Sequence, residues 1–355
     1  MPVRLLILLI AVTWQLEAEA ADNFVRRKVP TGTQKLIDAG QFSLDGQTLT
    51  VAGEQGLLQS FDVTTLKLSN EHNLRGACTE FAQWQNGFVV VNGATQELIV
   101  LDQVLTELRR VSVPGIVRFT TAPTLEFGFV IEKNRISSVA LERGRVRALN
   151  TAPLLAAAKQ VRRPPDTGER GAPLDFRFAT CTPDGKTLVT MAGYRINRFR
   201  IRRGGLAWEE CGWKVGASGT PINLNVGGNP ALVAMPCGAG NAENLPGHPV
   251  DPRYGTFVYD VSKLSVPKVT VVAGAYPSVL AFDPRFKLIY TQNSGTELLV
   301  YNHAGAKLAE YTFGAKNAQT RAYAVHPEGG RLLVLTGNEL FWCQLPDSVI
   351  DKAGE

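Results

Sequence analysis

Seven copies of one short-strand pattern, an orphan strand ahead of the first copy, and a last copy one strand short predict an all-β fold. That fold is a β-propeller of seven four-stranded blades, with the N-terminal strand closing the last blade. The expected layout is a signal peptide over residues 1–20 and a single propeller domain over 21–355.

The N-terminal twenty residues are set apart by their chemistry. Arg4 gives a basic start, Leu5 to Trp14 form an apolar run of ten, and Ala18-Glu19-Ala20 place small residues before a cut at Ala21. The run is shorter than the roughly 20 apolar residues that span a bilayer, and none like it follows. A secreted or periplasmic protein without a transmembrane segment after cleavage is therefore expected. No cysteine lies near the cut, which argues against a lipid anchor.

The remaining composition suits strands and turns. Of 355 residues, 45% are hydrophobic and 19% charged, with 34 glycines and 20 prolines, a balance of globular rather than disordered chains. The length admits one large all-β domain or two ordinary domains, and the repeats decide for one.

The repeat is clearest at Phe42-Ser-Leu-Asp-Gly-Gln-Thr-Leu-Thr-Val51, followed by a Gly turn, Leu57-Leu-Gln-Ser-Phe-Asp62 and Leu66-Lys-Leu68. It reads as four short strands with an Asp-Gly turn between the first two. The pattern returns from Phe81 to Val113 and from Ile116 to Leu149. A fourth copy holds Thr182 to Thr190 and Arg195 to Arg202, and a divergent fifth holds Ala231 to Met235 and Thr256 to Asp260. Copies six and seven run through Phe282 to Tyr290 with Glu297 to Tyr301, and His326 to Leu335 with Glu339 to Cys343. A blade cannot bury both its faces alone, so neighbours stack and the ring closes. The last copy has three strands, and Phe24 to Val29 supplies the fourth. An eighth, unrecognised copy is the alternative blade count.

Through Pro183-Asp-Gly-Lys-Thr-Leu-Val189 and its relatives, the units resemble bacterial WD40-like and YVTN-type propeller repeats. The resemblance spans nearly all of the mature chain and implies a fold but no activity, because propellers host hydrolases, lyases, dehydrogenases and pure scaffolds. The Gly-His and Trp-Asp marks of eukaryotic WD40 repeats are missing, as is the tryptophan-rich motif of quinoprotein dehydrogenases.

Cys78, Cys181 and Cys343 sit in apolar runs and read as small buried hydrophobes. Only Cys211 and Cys237 flank a loop-rich region and are placed to pair. With no CxxC, structural zinc is disfavoured. Glu243, His248 and Asp251 share one loop but suit neither calcium nor zinc, and no nucleophile elbow, HExxH or phosphate-cradling loop appears. No metal and no cofactor is expected.

Two long insertions, Ala152 to Leu174 and Pro236 to Tyr254, belong to connections that emerge on one face of a propeller, and long loops in compact domains often bind. Aligning the units on their Asp-Gly turn places Asp38, Arg177, Ser278 and Arg321 at the top of the innermost strands, with Asn223 and Tyr323 two residues further along. Converging there, they could hold a carboxylated ligand; the competing reading is that they pair with one another to close the ring.

Charge is uneven. From Lys133 to Arg203 there are 16 Lys and Arg against 5 Asp and Glu, a balance of +11 in a chain of +5. Arg198, Arg200 and Arg202 alternate with Phe199 and Ile201, which predicts an exposed arginine stripe on one face of a strand. With Arg162 and Arg163 it forms the expected polyanion-binding sector. Exposed aromatics do not interleave with these cations, which argues against nucleic acid. The reading that results is an exported, monomeric, non-catalytic propeller recognising a protein or an anionic envelope polymer. The alternative is a lactonase-like hydrolase or lyase acting on a carboxylated small molecule, with Asp38 or Tyr323 as general acid or base.

Overall fold

A computed structural model describes residues 23–32, 34–37, 40–85, 87–133, 135–162, 174–193, 195–203, 205–213, 224–237, 255–264, 270–273, 279–292, 295–313 and 319–354. They form seven four-stranded antiparallel sheets, each ordered from an inner to an outer strand. The N-terminal strand β1 is Val25–Lys28. Blade 1 follows with β2 to β5 (Gln41–Phe42, Thr48–Ala52, Leu57–Asp62, Leu68–Asn73), and blade 2 with β6 to β9 (Cys78–Trp84, Gly87–Asn92, Glu97–Leu101, Glu107–Ser112). Blade 3 is β10 to β13 (Ile116–Thr120, Phe127–Glu132, Arg135–Ala140, Arg145–Ala148), and blade 4 is β14 to β17 (Thr180–Cys181, Thr187–Ala192, Arg195–Arg202, Gly205–Trp213). Blade 5 is β18 to β21 (Asn225–Gly227, Leu232–Cys237, Gly255–Asp260, Thr270–Ala273), and blade 6 is β22 to β25 (Leu280–Phe282, Leu288–Thr291, Glu297–Asn302, Lys307–Thr312). Blade 7 takes β26 to β28 (Thr320–Val325, Arg331–Thr336, Glu339–Gln344) and completes its outer edge with β1. The blade count and the closure agree with the repeats.

The closure is a continuous ladder. Val25 lies opposite Gln344 and Lys28 opposite Phe341, and Val29 extends it by donating to Leu340 O at 2.8 Å. The strand also reaches both neighbours of blade 7. Phe24 stacks on Tyr311 of blade 6 at 3.8 Å between ring centroids, and Arg27 donates to Thr64 O of blade 1 at 2.9 Å while its guanidinium lies over Trp342.

The core is divided among the joints between blades. In β7, Phe88 and Val90 enter the cluster shared with blade 1, and Val89 and Val91 enter the one shared with blade 3. Period-two alternation sends successive side chains to opposite faces, and in a ring both faces are covered. The central strands are therefore apolar throughout, and each buried side chain contributes roughly 1.5–3 kcal/mol. The cluster between blades 1 and 7 unites Phe42, Leu49 and Val51 with Leu333, Leu335 and Trp342, so the ring is sealed by packing as well as by hydrogen bonds.

The Asp-Gly turns are joints too. Asp45 accepts from Ser43 Oγ at 2.6 Å and from Gln47 N–H at 3.0 Å, and Asp184 does the same for Thr182 and Lys186. The glycine that follows has positive φ and abuts the preceding blade: Gly46 faces His326, and Gly185 faces Thr124 and Leu125.

Two elements lie outside the repeats. Helix α1, Ala152–Gln160, buries Leu154 and Ala158 and packs against β17, and helix α2, Asp347–Asp351, buries Val349 between blades 6 and 7. Neither helix belongs to the four-strand repeat: α1 falls in the insertion from Ala152 to Leu174, and α2 follows the last strand. No helix among the described residues is long and apolar enough to cross a membrane. Cys78, Cys181 and Cys343 are buried in inter-blade clusters, as expected, and burial pushes the Cys181 thiol up to about 12. Cys211 is also buried, and the side chain of Cys237 lies outside the described residues.

Candidate functional site

In a propeller the links from an outer strand to the next blade, and those between second and third strands, share one face, here called upper. On that face α1 rises between blades 3 and 4. Asn150 Oδ1 accepts the Ala152 N–H at 3.1 Å at its start, and Pro153 falls in its first turn, where a missing N–H costs nothing. Leu154 and Ala158, four apart, bring one helical face onto the sheet. At its far end Arg195, only 2% exposed, donates from Nη2 to Ala158 O at 3.0 Å and lies over the Trp213 ring at 5.1 Å. A cation on the last carbonyls of a helix meets the negative end of its dipole, so Arg195 both satisfies the helix end and anchors the insertion.

Beneath α1 a cleft of about 440 Å³ opens between blades 3 and 4. Leu155, Leu174 and Phe176 form its apolar wall, and Lys133, Arg135 and Arg177 its cations. Arg135 Nε lies 3.0 and 2.9 Å from the two carboxylate oxygens of Glu132, and Arg177 Nε and Nη2 lie 2.8 and 2.6 Å from Asp175 Oδ2. These carboxylates hold both guanidinium groups above their ordinary pKa. Solvent screens exposed pairs of this kind and leaves them weak, so a partner's carboxylate can replace the internal one. Lys133, on the turn between second and third strands, and Arg135, at the start of β12, lie away from the motif that aligns the units, and the sequence does not mark them.

Of the channel-mouth residues, Arg177, Arg321 and Tyr323 are described, and each is held by a partner of its own. Arg177 is engaged by Asp175, and Arg321 donates to Gly337 O of its own blade at 3.3 Å. Tyr323 turns into the protein. Its hydroxyl lies 2.8 Å from Thr291 O and 2.9 Å from Glu297 O in blade 6, and burial raises its pKa well above the ordinary value. It is a strut between blades, with no free proton to offer a ligand. Asp38, Asn223 and Ser278 lie outside the described residues, as do Arg163 and the loop with Glu243, His248 and Asp251. Among the described residues, no group of three His, Cys, Asp or Glu side chains is arranged to hold a metal.

A different pair occupies the inner strands of blades 2 and 3. Each has a bulge at its upper end, and after it come Glu80 and Arg118. Glu80 accepts the Phe119 N–H, Arg118 Nε lies 3.9 Å from Glu80 Oε1, and Arg118 donates to Arg177 O at 3.3 Å. The link runs across blades 2, 3 and 4. Blades 2 and 3 lack the Asp-Gly turn, so an alignment built on that turn passed over both residues.

The arginine stripe on β16 is graded. Arg198, with 17% of its side chain exposed, donates to Val261 O of blade 5 at 2.7 Å and pairs with Glu209 at 3.2 Å and Glu210 at 3.4 Å. Arg200 is exposed and pairs with Glu209; Arg202 is exposed. The expected exposed stripe of three is corrected to two, because the upper part of β16 is covered by blade 5. Arg162 follows α1 on the surface.

No protein-family model matches the chain, and a search of curated protein sequences also gives no match. Similar solved structures include the β-propeller domain of Cps50 (Swd1) from Myceliophteria thermophila, at TM-score 0.60 and 13% identity over 90% of this chain and 99% of that one. The WD40 domain of Neurospora crassa Pan2 gives TM-score 0.62 and 11% identity over 92% and 96%. These likenesses show the seven-bladed WD40-type fold.

Proposed function

We propose that this chain is an exported, non-catalytic propeller, of the bacterial YVTN-like repeat type, that holds a protein or an anionic envelope polymer on its upper face and basic sector. The observation that carries the reading is the insertion itself. The chain spends α1 and a buried arginine, Arg195, on building one wall of a cleft whose other walls present Lys133, Arg135 and Arg177. Nothing in the blade repeat requires that construction, whereas binding a partner does. The Asp-Gly repeats support the bacterial assignment, and residues 1–20 support export. Catalysis at the channel mouth loses one of its two candidate groups, since Tyr323 is occupied by two carbonyls.

Retention on a heparin matrix tests the polymer reading. Two sets of glutamine substitutions are compared: Lys133, Arg135 and Arg177 on the cleft, and Arg162, Arg163, Arg200 and Arg202 on the sector. Each set should elute at lower salt than the parent, and the parent should itself weaken as the Debye length shrinks from about 10 Å at 0.1 M to about 3 Å at 1 M. Unchanged elution in two folded variants would sink the polymer reading and leave a protein partner. Export is checked by N-terminal sequencing from the native host: the mature chain should begin at or near Ala21, and an intact Met1 in a cytosolic fraction defeats it.

A further inference from the structure

We propose that the outer edge of blade 3 takes up an extended segment of a partner protein, with acidic and apolar residues in alternation, as a fifth strand. This surface is separate from the upper cleft, and the inference stands or falls independently of it.

The edge strand is β13, and among the described residues it pairs only with β12. Leu149 donates to Ile136 O at 3.0 Å, so residues 145 and 147, in step with it, turn their backbone groups inward. Val146 and Ala148 turn theirs outward, where no strand among the described residues lies. All four residues of β13 are exposed. An open row of N–H and C=O groups is a template for strand addition.

The two sides of that edge differ in chemistry. Paired residues share a face. Val146 lies opposite Val139, which belongs to the core between blades 2 and 3, so Val146 looks toward blade 2. Arg145 and Arg147 lie on the other side with Ile136, toward blade 4. Val146 is 46% exposed, and it overlooks the groove between the outer strands of blades 2 and 3. At the lower end of that groove is a cleft of about 320 Å³ with Trp84, Leu101, Leu108 and Leu141 among its lining, and Leu108 is 57% exposed. Arg109 crosses from blade 2: its Cδ and Nη1 lie 3.3 and 3.7 Å from the point where a Cβ on Gly144 would stand.

The cations here are uncompensated. Among the described residues Arg109, Arg143, Arg145 and Arg147 make no ion pair, whereas neighbouring Arg110 holds Glu97 and Glu107, and Lys307 on the outer strand of blade 6 holds Glu310. Asp102, which also lines the cleft, is occupied by the N–H groups of Val104 and Thr106. A strand laid beside β13 puts alternate side chains against Arg145 and Arg147 and the others against Val146 and the groove. Carboxylates suit the first side, and apolar groups suit Val146 and Leu108 on the second, where Arg109 stands at the lower end; that complementarity selects an alternating acidic and apolar segment.

The test uses the whole protein and a fluorescein-labelled eight-residue peptide of alternating glutamate and leucine, followed by anisotropy. It should bind at least tenfold more tightly than octaglutamate and than the same eight residues arranged in two blocks. Arg145→Glu with Arg147→Glu should weaken it at least tenfold. Val146→Pro is the decisive variant: it removes an outward donor and no bond to β12, a position where an edge strand tolerates proline, and it should abolish binding. Should Val146→Pro unfold the blade, the parent protein is tested with a peptide N-methylated at alternate amides, of which one of the two registers must fail to bind. Equal binding of octaglutamate, or full binding by a folded Val146→Pro variant or by both methylated peptides, overturns strand addition and leaves a purely electrostatic patch.

Discussion

His326 in blade 7 donates from Nε2 to the carbonyl oxygen of Gly46 in blade 1 across 3.0 Å, joining the two ends of the ring on the lower face. The direction is set by the other ring nitrogen, since Nδ1 accepts the Glu328 N–H at 3.1 Å and the proton must then sit on Nε2. Phe42 meets the imidazole edge-on at 5.0 Å. In the repeat, His326 occupies the place of Ser43 and Thr182, whose hydroxyls serve the same turn.

This imidazole makes closure sensitive to pH. Burial lowers the His326 pKa below its ordinary value, so the unfolded chain binds more protons in the window between the two values. Stability is then full above the unfolded pKa of about 6.5, declines as pH falls through it, and levels off below the folded value. The slope from one such group is at most about 1.4 kcal/mol per pH unit. His303 is lowered by burial as well and acts in the same direction. Denaturant midpoints between pH 7.5 and 5 should fall less steeply for His326→Gln than for the parent; identical slopes would show that His326 does not titrate differently on folding.

Gly46 is needed twice. Its φ is +71°, and a Cβ there would stand 2.2 Å from His326 Nε2. Gly32 has nearly the same φ, +74°, with nothing within 4 Å of its Cβ position. Gly32→Ala should cost on the order of 1 kcal/mol from backbone strain alone, and Gly46→Ala clearly more. Equal losses in chemical denaturation would mean that His326 moves aside freely.

Removal of Phe24 to Val29 takes away the strand that touches blades 6, 7 and 1 and bares the edge of β28. The shortened protein should melt lower and aggregate through that edge. Thermal stability equal to that of the full chain would show that blade 7 manages with three strands.

The arginines of β16 should separate by depth. Arg198→Gln leaves Glu209 and Glu210 without their shared cation at the joint with blade 5 and should destabilise by about 1–3 kcal/mol. Arg202→Gln, at the exposed end, should stay within about 0.5 kcal/mol. Equal effects in urea unfolding would contradict the graded burial.

The blade plan was legible in the sequence because it is written locally. Four short strands per unit, an Asp-Gly turn with its own hydrogen bonds, and a missing strand matched by an orphan one each leave a mark within a few residues, and stacking into a ring is the one arrangement that covers both faces of every sheet. Where the charges go is another matter. Phe199 pairs with Trp208 and Arg198 with Glu210, so Glu209 is the extra residue of a bulge. The register below the bulge, Arg200 with Ala207, already puts Glu209 on the face of Arg198 and Arg200, and the single extra residue sets Glu210 opposite Arg198 as well, where simple alternation would have sent it to the opposite face. Glu80 and Arg118 meet for a like reason, each following a bulge in adjacent blades, and Tyr323 finds its carbonyl partners in blade 6. Alternation, turns and repeats depend on neighbours along the chain and can be read from it; bulges, strand register and the facing of one blade on the next depend on residues far apart, and only the folded ring decides which cations are spent and which remain for a partner.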